Sequence, residues 1–281
     1  TLYSDTRRRI SRKIKMLKPD LVHTHTFGYY TLAVFDSGHK KVIVSTHGMP
    51  DGSRGRRRSI VEIIRDIAQG YMYKACSDRA GDVIVNSPYA KKILGESSKR
   101  RVYELDNPVS EAFFNTGKDQ EEEGRILFAG AICGQKGIMD ILSSAKPLKE
   151  YFQGVSFRIA GPVTDNDFYL KAIRRAKENG LGGIVNFLGQ LDESSLEEEY
   201  RKASIFIFPS REDVAPMAVL QAMASGKAIV ASNVGGLPYI IDDGINGFLI
   251  KPGDIRGLSE RASLFIKDAV LRKKFGINAR A

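Results

Sequence analysis

The sequence predicts an α/β protein of two Rossmann-like domains, each a parallel sheet covered by helices. Three observations carry this. Residues 204–250 run in the order apolar strand, polar loop, helix, apolar strand, glycine turn, the unit of a parallel sheet. A second alternation of the same kind fills residues 21–105. Between the alternations lies Lys118–Gly124 (KDQEEEG), polar and acidic like a linker. The expected domains are therefore residues 1–114, a linker over 115–124, and residues 125–281. An apolar content of 42% is enough to fill two cores.

Taken from the start, Thr6–Leu17 (TRRRISRKIKML) reads as a helix with Ile10, Ile14 and Leu17 on one side, stopped by Lys18-Pro19-Asp20. Leu21–Thr26 alternates like a strand, and Gly28–Ala33 opens a helix. Lys41–Thr46 is a buried-strand run, followed at once by His47-Gly48-Met49. The stretch up to Arg58 is a basic, glycine-bearing loop that gathers Arg54, Arg56, Arg57 and Arg58. Ile60, Ile63, Ile64, Ile67, Ala68, Tyr71 and Met72 then recur at helical spacing. Two readings stand for that apolar side: packing on the first sheet, or contact with an anionic membrane beside the arginines. Asp82–Asn86 is a strand, Tyr89–Leu94 a short helix, and Val102–Leu105 a strand before Asn107-Pro108.

The second half opens with strand Arg125–Ala129, loop Gly130–Gly137 and helix Ile138–Tyr151. Strand Val155–Ala160 closes at Gly161-Pro162. Helix Asp167–Asn179, strand Val185–Leu188 and the acidic helix Ser194–Ala203 follow, the last capped by Ser194 or Asp192. Ile205–Phe208 is a buried strand stopped by Pro209-Ser210. Pro216 sits in the first turn of the next helix, where its missing N–H costs nothing. Met217, Val219, Leu220 and Met223 give that helix its apolar side, and Ser225-Gly226 ends it. Ala228–Ala231 is a further strand, and Gly235-Gly236 turns tightly into a short helix. Ligands of such sheets sit at the carboxyl ends of strands, where loops meet helix N-termini.

Charge divides the chain as sharply as the pattern does. Residues 1–114 hold 21 Lys and Arg against 12 Asp and Glu, and the remainder 22 against 21. A basic first half and a neutral second half suggest different partners. The Arg54–Arg58 cluster lacks the interleaved aromatics of single-strand nucleic-acid binders, so nucleic acid is not an expected partner. Cys76 and Cys133 are far apart and read as reduced thiols, which favours a cytoplasmic setting. No apolar run reaches the length of a membrane span, and Thr1–Lys18 lacks the apolar core of a signal peptide. His23 and His25 are expected on opposite faces of their strand, one of them buried and hydrogen-bonded. No Cys/His cluster points to a metal.

Five submotifs of the second half stand in order: Asp213; Gln221; Ala222-Met223-Ala224-Ser225-Gly226; Gly235-Gly236-Leu237-Pro238; and Asn246-Gly247-Phe248-Leu249. Together they resemble the retaining glycosyltransferases of family 4, glycosyl transferases group 1. Pro19-Asp20-Leu21-Val22-His23-Thr24-His25, His47-Gly48 and Asn107-Pro108 resemble the acceptor-side half of the same family. The resemblance implies a GT-B fold, two Rossmann-like domains facing a cleft, with the first one incomplete at its N-terminus. It departs from the family's pattern at Gln221, usually an acid, at Asp213, more often Glu, at Tyr239, usually an acid, and at Ala131, usually Arg.

What the resemblance implies is a metal-independent transferase without a cofactor. It would move a sugar from a nucleoside-diphosphate sugar to a glycan, lipid-linked or small-molecule hydroxyl. Departure of the diphosphate leaves extra negative charge, which cations and helix N-termini must meet. Lys136, just past a strand end, suits that role; its other reading is a solvated helix-start lysine. Asp213 would accept hydrogen bonds from sugar hydroxyls, or simply cap a helix. His47 would project from its strand end beside the transferred sugar. Gly130, Gln190, Leu191, Val214, Ala215, Pro216 and Met217 would complete the donor site, with Gln221 facing the ribose or lying on a helix surface. His23, His25, Arg54, Arg56, Arg57 and Arg58 fall on the acceptor side. A sugar-nucleotide epimerase or hydrolase, or a non-catalytic binder of nucleotide sugars, would use the same fold. Weak attachment to the cytoplasmic face of a membrane is a further expectation from the basic first half.

Overall fold

The computed structural model describes residues 2–46, 60–95, 100–114 and 120–281. Two compact units divide it, Thr1–Asn107 and Pro108–Ala281. In the first, β1 (Val22–His25), β2 (Val42–Thr46), β3 (Asp82–Val85) and β4 (Arg101–Glu104) pair in parallel and in chain order. Parallel neighbours need crossovers, and the described helices are α1 (Leu2–Leu17), α2 (Tyr29–Asp36), α3 (Ile60–Arg79) and α4 (Pro88–Leu94). Val44, Val83 and Val85 from the strands bury completely, as do Ala33 of α2 and Cys76 of α3. Burial pushes the Cys76 thiol up to about 11, against the nearby charge of Arg79, which disfavours the reactive thiolate. Ser87 caps α4 by accepting from Ala90 N at 3.1 Å, and Pro88 follows at the position that tolerates it.

In this unit one expectation fails, and of the two readings of α3 one falls. His23 and His25 do not take opposite faces, because residues two apart on a strand share one. Their rings lie 4.6 Å apart and both side chains are exposed; His23 Nε2 is 2.8 Å from Ser45 Oγ on β2. The apolar side of α3 does not pack on the sheet at the positions described. Ile63, Ile64, Ile67 and Tyr71 are 45%, 61%, 68% and 77% exposed and form one stripe.

The second unit is a six-stranded parallel sheet. Its strands are β5 (Arg125–Ala129), β6 (Ser156–Ala160), β7 (Val185–Gly189), β8 (Ile205–Phe208), β9 (Ala228–Ser232) and β10 (Phe248–Ile250), in the order β10-β9-β8-β5-β6-β7. The chain steps outward from β5 through β6 and β7, then returns to the other side of β5 with β8. Every residue of β8 and β9 is buried, as expected of strands covered on both faces. The helices are α5 (Glu111–Phe114), α6 (Ile138–Tyr151), α7 (Asn166–Glu178), α8 (Glu193–Lys202), α9 (Met217–Ala224), α10 (Ile255–Lys267) and α11 (Ala269–Arg280). Of the two caps expected for α8, Asp192 is the one that accepts, from Ser195 N at 2.8 Å.

The division falls earlier than the sequence suggests. Phe113 of α5 is buried in the second core, its ring edge-on to Tyr200 at 5.4 Å. The described part of the expected linker is fastened to the same unit. Glu121 pairs with the buried Arg272 at 2.8 Å, and Glu122 N donates to Lys202 O at 2.8 Å.

Glu199 on α8 ties the front of the sheet together. It accepts from Arg125 at 2.8 Å and from Arg158 at 2.6 and 3.0 Å, with 9% of its side chain exposed. Burial works to raise its carboxyl; the hydrogen bonds from Arg158 and Arg125, with their charges, outweigh it and hold the group below the usual carboxylate range. Its contribution to stability is complete above the ordinary Glu value, about 4.3, and is lost as pH falls through the depressed native value. Glu199→Gln should therefore cost about 3 kcal/mol at neutral pH. In denaturant melts followed downward in pH, the gap between wild type and variant should close in acid; a gap independent of pH would exclude the ionised pair as its source.

Candidate functional site

A cavity of ≈ 550 Å³ opens at the carboxyl ends of β5, β6 and β8. This is where the strand order reverses, so that loops leave in opposite directions and a crevice remains between them. Of the residues expected around a donor, Gly130, Lys136, Gln190, Leu191, Asp213, Ala215, Pro216, Met217 and Gln221 line it. Val214 is not among them. His23 and His25 belong to the first unit. His47, Arg54, Arg56, Arg57 and Arg58 lie outside the described residues.

Main-chain contacts bring the lining together. Lys136 ends a 3-10 turn, Gly134–Lys136. Gly137 follows in the left-handed region, so close to Pro209 that a Cβ would stand 2.0 Å from its carbonyl oxygen. Arg211 N donates to Gln135 O at 2.7 Å, and its guanidinium holds both oxygens of Asp140 at 2.8 and 2.7 Å. Burial raises the Asp140 carboxyl above its usual range, and the charge and hydrogen bonds of Arg211 oppose that. The loops leaving β5 and β8 are thus tied to each other, and Lys136 meets Asp213. Lys136 Nζ donates to Asp213 Oδ2 at 2.5 Å and stands 5.4 Å from the centre of the Phe208 ring.

The far side of the Asp213 loop rests on glycine. Gly236 N donates to Asp213 O at 2.9 Å. A Cβ on Gly235 would lie 1.8 Å from Asp213 O, and one on Gly236 1.8 Å from Val214 O. Val214 therefore meets the Gly-Gly turn through its backbone. Pro216, expected in the first turn, stands one place before the helix without a capping bond, and the N-terminus of α9 opens at the cavity with Met217 and Ala218 in its wall. Its first N–H groups precede the first intrahelical bonds, an arrangement that suits an anion. One turn later, Gln221 lines the same wall. Its Oε1 is 3.4 Å from the hydroxyl of the fully buried Tyr200, which donates to Ala218 O at 2.8 Å.

Sequence reasoning missed the Arg211–Asp140 pair, whose members are 71 positions apart with no local pattern to join them. It read Gly161-Pro162 only as a strand end, although that dipeptide lines the cavity. The signal was present, since a glycine directly after a buried strand marks close backbone approach. Among the described residues no group of three His, Cys, Asp or Glu could hold a metal ion, and no helix is long and apolar enough to cross a membrane.

The family model for glycosyl transferases group 1 matches residues 109–281, and that for glycosyltransferase family 4 matches residues 2–112. An uncharacterized glycosyltransferase of Methanocaldococcus jannaschii is 29% identical over 220 residues, 78% of this chain and 59% of its own length. The Campylobacter jejuni N,N'-diacetylbacillosaminyl-diphospho-undecaprenol alpha-1,3-N-acetylgalactosaminyltransferase is 30% identical over 156 residues, 55% of this chain and 38% of its own. The chain thus spans less than two thirds of the length of either relative. The crystal structure of Anabaena Alr3699/HepE in complex with UDP and glucose superposes with a TM-score of 0.82 over 98% of this chain and 75% of that one, at 16% identity. This likeness shows the GT-B fold.

Gly236 has φ −82° and ψ −11°, which alanine adopts freely. Gly236→Ala should still destabilise the second unit by about 2–3 kcal/mol, because its methyl would strike Val214 O. Gly183→Ala, with open space at its Cβ position, is the control and should leave the melting temperature unchanged. Equal melting temperatures for the two variants would remove the Gly-Gly contact as the support of the loop.

Proposed function

Because the chain belongs to the glycosyl transferases group 1 family, we propose that it transfers a sugar from a nucleoside-diphosphate sugar to a hydroxyl acceptor with retention of anomeric configuration. The observation that carries this reading is the cavity where Lys136, Asp213, Gln221 and the N-terminus of α9 converge. In the reaction the bond between the anomeric carbon and the phosphate oxygen breaks, and its electron pair stays on the diphosphate. The acceptor oxygen bonds to the anomeric carbon from the same face, and its proton passes to the departing phosphate. Lys136 and the helix N–H groups stabilise the charge that develops there, a fixed arrangement that needs no reorganisation at the moment of reaction. Asp213 receives sugar hydroxyls, Gln221 the ribose, and Gln190-Leu191 lie where a base would end. His47 is assigned to sugar positioning from its place after β2. This chemistry assigns no protein nucleophile, metal or cofactor.

Melting curves with UDP, GDP, ADP and their sugar esters test the site, since a ligand of the folded state raises the melting temperature. Lys136→Ala should weaken the shift, measured against the variant's own unliganded melt, by about 2–3 kcal/mol in binding free energy. No shift with any nucleotide would overturn the donor-site reading. Labelled nucleotide sugar incubated without acceptor separates transfer from the epimerase and hydrolase readings, which predict product under that condition.

For the acceptor side we propose weak attachment to an anionic membrane surface. The exposed stripe Ile63, Ile64, Ile67 and Tyr71 supports it, with Arg54, Arg56, Arg57 and Arg58 preceding the stripe in sequence. Each basic residue near such a surface contributes about 1 kcal/mol. The Campylobacter relative's named substrate is a diphospho-undecaprenol lipid, which suits an acceptor presented at a membrane. Sedimentation should show salt-sensitive binding to anionic vesicles, absent with neutral ones and lost when the four arginines become Ser. Wild type left in the supernatant with both vesicle types at low salt would end the proposal.

A further inference from the structure

Lys136 is the cation and Asp213 the carboxylate among the described residues lining the cavity. They occupy each other at 2.5 Å, with 24% and 13% of their side chains exposed. Lys136 has three N–H donors, so a phosphate that takes it as partner must share it with Asp213 or displace Asp213. Its loop is held from behind by Gly235-Gly236 and from the side by the Arg211–Gln135 bond, so the carboxylate stays beside the incoming phosphate.

We propose that Asp213 makes the cavity discriminate against the bare nucleoside diphosphate in favour of its sugar ester, acting as an internal competitor for Lys136. The inference rests on the donor-site reading. A free diphosphate ends in a group whose second ionisation, near pH 6, is largely complete at neutral pH. It brings that extra charge against Asp213 and offers no hydroxyl to it. A sugar ester lacks the extra charge and presents hydroxyl donors, which satisfy the displaced carboxylate. Transfer of the sugar turns the second ligand into the first. Once the proton taken from the acceptor has left the phosphate, Asp213 has lost its donors, faces the new charge and returns to Lys136, so that the same pair releases the product.

Calorimetric titration at pH 7.5 with UDP, GDP, ADP, their glucose esters and their terminal-phosphate methyl esters tests this. Asp213→Asn keeps the shape and one accepting oxygen and removes the charge. It should tighten the diphosphate by about tenfold or more relative to its glucose ester. Asp213→Glu should keep the wild-type ratio. In wild type itself, the methyl ester should bind more tightly than the unesterified diphosphate despite having no sugar hydroxyls, a comparison that needs no folded variant. A ratio unchanged in Asp213→Asn, or a methyl ester weaker than the free diphosphate, overturns the inference and leaves the donor site standing. Absence of binding by every compound to wild type overturns the donor-site reading, and this inference with it.

Discussion

The loops that leave β5 and β8 are bonded to each other, and the site depends on that bond. The two strands are neighbours where the sheet reverses, so their loops would otherwise diverge. Arg211 closes the gap twice, through its backbone to Gln135 and through its guanidinium to Asp140. Gly137 lets Pro209 approach to a distance that any side chain would forbid. Lys136 is therefore placed by main chain on both sides of it, and its meeting with Asp213 follows from the loop geometry. An ion pair between two freely moving surface side chains would be worth little; this one joins groups whose backbones are already fixed.

The second unit was largely legible because its signals are local. β5, α6 and β8 begin and end where their apolar runs, glycines and prolines say they should, and nine of the residues expected around a donor line one cavity. What stayed hidden was either long-range or buried under ambiguous composition. The Arg211–Asp140 pair has no local trace. Residues 108–114 look like the tail of the first domain until Phe113 is seen against Tyr200. α10 and α11 follow one another with Asp268 closing the first and capping the second, a junction that polar composition alone does not reveal.

The first unit was legible in its strands and poorly legible in its surfaces. Alternation located β1 through β4, but which side of α3 meets the sheet is a tertiary fact. The helical spacing of its isoleucines is the same whether the stripe faces a core or water. The histidines of β1 show a different failure. Strand periodicity already puts residues two apart on one face, so the side-by-side rings of His23 and His25 were contained in the sequence and misread.

The contact of Gly235 and Gly236 with the carbonyls of Asp213 and Val214 has a consequence for how this site changes over time. A loop held through its backbone does not depend on the identity of its own side chains. Substitutions at Ala215 can reshape the wall without moving the Asp213 backbone, whereas a side chain on either glycine would strike the backbone of the loop. The specificity of such a site can drift while its architecture stays fixed, with the freedom and the restraint encoded some twenty residues apart.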